Sequence, residues 1–504
     1  MKRTALVVAA LLVAGCGSSG GTGSKALVDG KTFTMSVGAD PGTLDPALTV
    51  LSVARSIGRF LYGRLVERTS NGDIAAGLAE KWEADATKAT FTLRQGTTCA
   101  DGAPLTAKDV AENINFIGDP KNKSPLVGLM VMPGTTATAD DATRTITVTS
   151  GAPDAFLLTN VGMLPIVCAK GVSDRALLTK GEQGTGLFTI SEIAPNDHYT
   201  LTRRKDLPAE QGMPDKVVVK VVPNETTAVN LVLSGQVTAA TIAGPDQERL
   251  AAQKVEHVDL AVPLGLLSFN QADGLPTQDP AVRRALVQAL DLAQVGKVLT
   301  SGKGRPSKSL VTVEPRPCTG DNVSANLPPH DKAAAQQALA EWSKGGKPLQ
   351  IRLLQPTVLG PTFTATAELI QQAWQAIGVQ VTIQPVDSAG LNQALFSTGA
   401  WDVSMSPVTL GLPSQLVPFA SGPMPPQGVN FGHVRNAEFE AESKQAATMP
   451  GSAGCEHWNK AESALVKAVD LVPYFDSVVP TFVKGARFTM SDGIDPASIR
   501  MLAS

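Results

Sequence analysis

Histidine occurs five times in this 504-residue chain and cysteine five times, and each scarcity excludes something. His198, His257, His330, His433 and His457 form no H-E-x-x-H pair and partner no C-x-x-C. A zinc site therefore has no local support. Charge of one sign does not dominate: 43 basic residues face 46 acidic ones, with no basic stripe, so nucleic acid is not an expected partner. No G-x-S-x-G elbow is present. Gly30-Lys31-Thr32 looks like the end of a phosphate loop, but the glycine it needs at position 25 is Lys25. The pair Asp140-Asp141 sits in a polar turn and reads as solvated turn chemistry. With no candidate nucleophile, base, metal or cofactor motif, the chain reads as a non-enzyme. Long apolar runs are missing too. The one notable run, Ala5 to Ala14, has ten residues, against the about 20 a membrane-spanning helix needs.

That run has a definite context. Lys2 and Arg3 precede it, which is the pattern of an export signal. Leu12-Val13-Ala14-Gly15-Cys16 follows and resembles the lipobox of bacterial lipoproteins. The resemblance implies cleavage after residue 15 and acylation of Cys16. Acyl chains contribute about 0.8 kcal/mol per buried methylene, and two or more give a stable anchor. Gly17 to Ser24 is a Gly/Ser-rich leash. The expected organisation is thus a signal peptide at 1–15 and a lipidated cysteine with linker at 16–24. The remaining body is large enough for two or three domains. Four cysteines remain in it: Cys99, Cys168, Cys318 and Cys455. Outside the cytosol an even count points to disulfides, and four cysteines allow three pairings.

Strands and helices are mixed throughout. "KTFTMSVGA" (31–39) alternates as a strand, and "TFTLRQG" (90–96) and "TRTITVTS" read likewise. Thr106 and Asp109 form a capping box that opens a helix with Val110, Ala111, Ile114 and Ile117 on one face. "KVVVKVV" (216–222) is apolar enough to predict a strand buried on both faces. A helix follows and stops near Gly235. Asp279-Pro280 opens another, with Val282, Ala285, Leu286, Ala289 and Leu290 at helical spacing. "LQIRLLQ", a helix through Leu369, Ile370, Ala373, Trp374 and Ile377, a capping Gly378 and "VQVTIQP" make a βαβ unit. The Pro/Gly-rich 420–428 stretch reads as loop. The class is α/β with some parallel pairing.

The segment "LAEKWEADATKATFTLRQGTTCADGAPLTAKDVAENINFI" (78–117) is similar to the signature region of the family 5 extracellular solute-binding proteins. These are the peptide, dipeptide and nickel receptors of ABC importers. Other pieces match in order: "DPGTLDPAL", "GTGLFTISEIAPNDHYTLTRR", "NLVLSGQV", "FNQADGLPTQDPAVRRALVQALD" and "AWDVSMSP". The resemblance implies a two-lobed periplasmic-binding-protein-like fold of type II, a Venus flytrap, with an extra inserted α/β domain. Carried over, the first lobe takes 25–50, 182–265 and 475–504, the inserted domain 51–181 and the second lobe 266–474. This division favours Cys99–Cys168 and Cys318–Cys455, because each pair then lies within one domain. The implied partners are a small-molecule or peptide ligand and ABC permease subunits. The implied state is a monomer held by its lipid anchor at the extracytoplasmic face of the cell membrane.

The resemblance also implies a ligand site. Asp40-Pro41-Gly42 matches the first lobe's cleft loop, and Leu266, Leu267 and Asn270 match the crossover strand. Trp401 opens the segment where oligopeptide and dipeptide binders carry an aspartate for the peptide α-ammonium. Here the segment departs from the family. Ser404 to Phe419 holds no acidic residue, Gly411 stands about where the aspartate belongs, and Val408, Thr409 and Leu410 offer an apolar wall. "KDLPAEQ" (205–211) also replaces the usual "NPDYW", and Thr238 the acid expected after "SGQV". The expectation is a solute without a free α-ammonium: an apolar or modified peptide, or a small glycoside-like molecule. Nickel is not expected, since no histidine falls in these segments. The competing readings are an orphan receptor for a signalling partner, an exported hydrolase, and a scaffold lipoprotein with a degenerate cleft.

Overall fold

The computed structural model describes residues 26–503 except 312, 345 and 347. The export signal, Cys16 and the Gly/Ser leash lie outside the described residues.

A two-lobed α/β molecule is organised on one 11-stranded sheet. From the outer edge of the second lobe, the path runs through Gln380–Val386, Gln350–Pro356, Val403–Ser404 and Glu256–Phe269. It continues through Leu471–Val483, Ala239–Thr241, Thr32–Val37, Lys216–Val221, His198–Arg203 and Phe188–Ala194. Two long strands, Glu256–Phe269 and Leu471–Val483, pair antiparallel over nearly their whole length and cross from one lobe to the other. The first lobe's core gathers Phe33, Phe60, Phe188, Leu201, Val217 and Val219. The second lobe's largest core gathers Phe269, Leu286, Leu353, Phe363, Ile370 and Trp374.

Local sequence explains the principal elements. The 350–386 unit forms as its periodicity predicts. Gln350–Pro356 and Gln380–Val386 pair in parallel, and helix Pro361–Gln375 buries Phe363, Ile370 and Trp374 against them. Gly378 turns the chain at φ 90°, a left-handed conformation that favours glycine. Helix Pro280–Gln288 opens on Asp279, whose carboxylate accepts from Ala281 N, and its predicted apolar face is buried. Helix Ala107–Gly118 carries the expected capping box: Asp109 N donates to Thr106 Oγ1 at 3.2 Å and Thr106 N to Asp109 Oδ2 at 3.0 Å.

The other strands are shorter than their sequence windows: Thr32–Val37, Lys88–Leu93 and Thr145–Thr149. Lys216–Val221 corrects one expectation. Only Val217 and Val219 are fully buried, whereas Val218 and Val221 are half-buried and Lys216 is exposed. The valine run therefore misleads: one face of this strand packs and the other is only partly covered.

The inserted domain has its own antiparallel sheet, Ala79–Ala84, Lys88–Leu93, Thr145–Thr149 and Thr136–Asp140. Helix Ala107–Gly118 packs on it, and the joint core runs from Ala47 to Cys168. The Cys99–Cys168 disulfide lies buried in this core. Val167 and Leu178 pack instead into the first lobe's core. The second disulfide, Cys318–Cys455, ties a loop of the second lobe to helix Cys455–Lys467. Both pairs are those favoured by the family's domain division.

Candidate functional site

The strand register defines where a ligand can sit. In the first lobe, Thr32–Val37 pairs in parallel with Lys216–Val221 and with Ala239–Thr241. Their carboxyl ends line up with Val258 of the crossover strand, because Thr241 and Val258 both face Thr481. In the second lobe, Val403–Ser404 is antiparallel to the crossover strand, Ser268 facing Ser404. Gln350–Pro356 runs parallel to Val403–Ser404. The carboxyl ends of the second lobe's strands therefore point back toward the first lobe. Ligands of open α/β sheets bind outside the carboxyl ends of the strands. Here two such edges face each other, joined by the stretch from Val258 to Leu266, roughly 25 Å of extended chain.

That bridge is irregular at its second-lobe end. The pairing register shifts between Pro263 and Gly265 and again between Gly265 and Leu266. Gly265 has no room for a side chain: a Cβ there would lie 2.6 Å from a ring carbon of Tyr474. A bulge in a crossover strand loosens the ladder where the lobes must pivot.

An apolar pocket opens beside this point, with about 400 Å³ of space, part of it open solvent. Leu266 comes from the crossover strand just past the bulge. Val408 and Leu410 come from the loop that follows Val403–Ser404. Leu310, Phe419 and Phe431 complete the wall. No charged or hydrogen-bonding side chain lines the pocket among the described residues. The structure thus brings together Leu266, Val408 and Leu410 of the sequence-predicted set. Thr409 between them is exposed.

The other predicted residues do different work. Leu267 is buried in the second lobe's main core. Asn270 is buried, and its Nδ2 donates to the carbonyls of Trp401 at 3.0 Å and Gly399 at 3.2 Å. Trp401 is fully buried against Phe431, ring centroids 6.0 Å apart. The backbone N–H groups of Gly411 and Leu412 both donate to Gln415 Oε1, at 2.8 and 3.2 Å. Asp40 accepts from Gly42 N at 2.9 Å, Asn196 N at 2.7 Å and the Tyr199 hydroxyl at 2.8 Å. Burial pushes its carboxyl pKa up, but these hydrogen bonds outweigh that and hold it below the usual value. Asp40 therefore anchors its loop to the neighbouring hairpin. Pro41 is buried beside it, and Gly42 is exposed at φ 68°.

Carboxylates near the second lobe's pocket are already engaged. Asp402 takes a bidentate contact from Arg352, 2.9 Å to each oxygen, plus Arg352 N at 2.7 Å. Glu462 is buried and accepts from Ser309 Oγ at 3.0 Å, Asn322 Nδ2 at 2.6 Å and Leu310 N. Burial raises its pKa despite those bonds. Its role is to fix the loop that carries Leu310 into the pocket. Asp470 accepts from Arg283 at 3.1 Å, Asn436 at 2.8 Å and Gln271 at 3.0 Å. The pocket residues that sequence reasoning missed are Leu310, Leu416, Phe431, Gly432, Val434 and Leu471. Their only sequence signal is apolarity, which most core residues share.

This architecture is that of a solute-binding receptor with a cleft between two lobes. The profile of the bacterial extracellular solute-binding proteins, family 5 Middle, matches residues 73–420, and the chain belongs to that family. The probable D,D-dipeptide-binding periplasmic protein DdpA of Escherichia coli is 26% identical over 73% of this chain and 72% of its own. The probable deoxycholate-binding periplasmic protein YgiS of the same organism is 24% identical over 87% and 86%. A substrate-binding protein of Microbacterium hydrocarbonoxydans, solved with 4-hydroxybenzoate hydrazide, superposes with a TM-score of 0.76. It is 25% identical to this chain, covering 93% of it and 99% of its own length. The chain is thus a substrate-binding protein of a family of receptors rather than enzymes.

Proposed function

We propose that this protein is the lipid-anchored, extracytoplasmic receptor of an ABC importer. It captures a peptide or peptide-like solute between its lobes and delivers it to a membrane permease. The observation that carries this reading is the pair of opposed strand edges joined by a bulged crossover. Ligand that touches both edges favours the closed form by its differential affinity for closed over open. The lipobox-like Leu12 to Cys16 and the leash behind it support tethering through Cys16. A tether keeps the receptor's local concentration high at the permease. The relatives' printed names support peptide-like cargo.

Within this reading the lobes divide at 25–50, 182–265 and 475–504 for the first, and 266–474 for the second, with 51–181 inserted. The ligand-contacting set is led by Leu266, Val408 and Leu410. Asp40, Trp401 and Asn270 position the segments around the cleft. The protein acts as a monomer. The test is made in the native host. Deleting the gene abolishes uptake of the solute that co-purifies with the protein, and Cys16→Ser moves the protein out of the membrane fraction. Unchanged uptake after deletion contradicts the receptor role, and unchanged membrane retention of Cys16→Ser contradicts the anchor.

A further inference from the structure

The cleft's hydrophobicity extends beyond the pocket. Five large hydrophobic side chains are exposed among the described residues: Leu48, Val50, Leu51, Trp342 and Leu359. Four of them lie on cleft-side loops. Leu48, Val50 and Leu51, exposed by 43, 45 and 58%, lie on the connection that leaves the carboxyl end of Thr32–Val37. Leu359 lies on the short turn that leaves the carboxyl end of Gln350–Pro356. Scattered exposed apolar residues are ordinary, but clustered ones mark a binding surface. In this fold they sit on loops from both opposed edges, beside a pocket without charge.

We infer that the solute is amphipathic and that its part buried against the second lobe is uncharged hydrocarbon, held without a carboxylate clamp. This rests on the receptor reading above and names the chemical class of its cargo. An ammonium in this pocket would lose its hydration and find no counter-charge. Asp402 is bound by Arg352, Glu462 by the Leu310 loop, and Asp470 by Arg283, Asn436 and Gln271. Burying an unpaired charge is among the most costly steps a binding site can take. A hydrocarbon group gains by leaving water, and Leu266, Val408, Leu410 and Phe419 give it the contact surface. The solute's polar groups therefore face the rim and solvent.

The test is calorimetric titration of the purified protein with three probes: N-acetyl-Leu-Leu-amide, zwitterionic Leu-Leu and N-acetyl-Ser-Ser-amide. The expected result is that the uncharged apolar probe binds about tenfold to a hundredfold tighter than the other two. Leu410→Glu abolishes that binding, and Phe419→Ala weakens it while its melting temperature shows the fold intact. Equal or tighter binding of Leu-Leu, no binding of the apolar probe, or indifference to Phe419→Ala overturns the inference. Such a result, with uptake still lost on gene deletion, would leave the receptor reading standing.

Discussion

Phe156 of the inserted domain and Trp458 of the second lobe face each other with ring centroids 6.3 Å apart and planes tilted by 32°. They sit in a small apolar cluster with Ala155, Cys318, Leu412 and Ala446. Beside them, Gly451 N donates to Ala155 O at 2.6 Å. The inserted domain therefore touches the second lobe directly, apart from the two crossover strands. A contact of this kind is made when the lobes are together and lost when they part. An aromatic pair contributes about 0.5–1.5 kcal/mol beyond its area. Phe156→Ala should weaken solute binding by roughly twofold to tenfold without touching the pocket. Small-angle scattering of that variant should show a larger radius of gyration than the parent under the same conditions. An unchanged radius and affinity would remove the contact from the closure mechanism.

Gly411 occupies the place where dipeptide binders resemble one another in carrying an aspartate. Nothing in the structure demands glycine there. Its φ is not in the left-handed region, and a Cβ would meet nothing closer than Gln415 Oε1 at 3.9 Å. Gly411→Asp should fold with an unchanged melting temperature. It should raise affinity for peptides with a free amino group relative to their N-acetylated forms, read by calorimetry. No shift in that preference would mean that position 411 does not reach the solute.

The Cys318–Cys455 disulfide and the Glu462 carboxylate fasten the same loop to the same helix. That loop supplies Leu310 to the pocket. The double substitution Cys318→Ser with Cys455→Ser should cost about 2–5 kcal/mol in denaturant unfolding. It should also weaken solute binding more than removal of the Cys99–Cys168 bridge does. Equal effects of the two bridges on binding would argue against a special link between this loop and the pocket.

Asp492 predicts an acid response. Burial pushes its pKa up, but Arg64, Arg59 and Arg55 outweigh that and hold it far below the usual 3.8. Arg64 Nη2 lies 2.9 Å from Asp492 Oδ2, and Arg59 contacts the other oxygen. A depressed folded pKa means that the ion pairs contribute their full stability above the unfolded value. That contribution is lost as pH falls below about 3.8 toward the folded pKa. Asp492→Asn should destabilise the protein by about 3–5 kcal/mol near neutral pH, since it strands buried arginines. The gap between parent and variant should hold at pH 5–7 and shrink below about pH 4. A gap that stays constant across that range in urea titrations would contradict the assignment.

Gly265 is the tightest point of the crossover. A Cβ there would press on Tyr474 from 2.6 Å, so one of the two strands would have to shift. Gly265→Ala should cost about 1–3 kcal/mol in stability, the usual range for overpacking. It should also slow or weaken solute-driven closure, seen as a smaller change in scattering radius on saturation. A variant with parental stability and closure would show that the bulge has slack that the geometry does not reveal.

Much of the fold was readable because its signals are local. The Thr106–Asp109 capping box, the Asp279-Pro280 helix start and the 350–386 unit each declare themselves within about 40 residues. The cleft was readable only in part. Val408 and Leu410 stood out because an acid was missing around them. Leu310, Phe431 and Leu471 arrive from loops and strands far apart in sequence, and an apolar residue lining a pocket looks no different from one filling a core. Trp401 and Asn270 mislead for the opposite reason. Their chemistry suits a ligand site, yet Trp401 packs on Phe431, and Asn270 binds the backbone carbonyls of Gly399 and Trp401. The valine run at 217–219 overstates burial because composition does not say whether the second face of a strand is covered.

The central claim is that two lobes close over a solute whose buried part carries no charge. Its most direct test is native mass spectrometry of the protein purified from its own host, followed by release and identification of whatever it carries. The account predicts one molecule per chain, with an apolar body and no free amino group on its buried part. Recovery of a hydrophilic zwitterionic peptide, bound one to one, would contradict it.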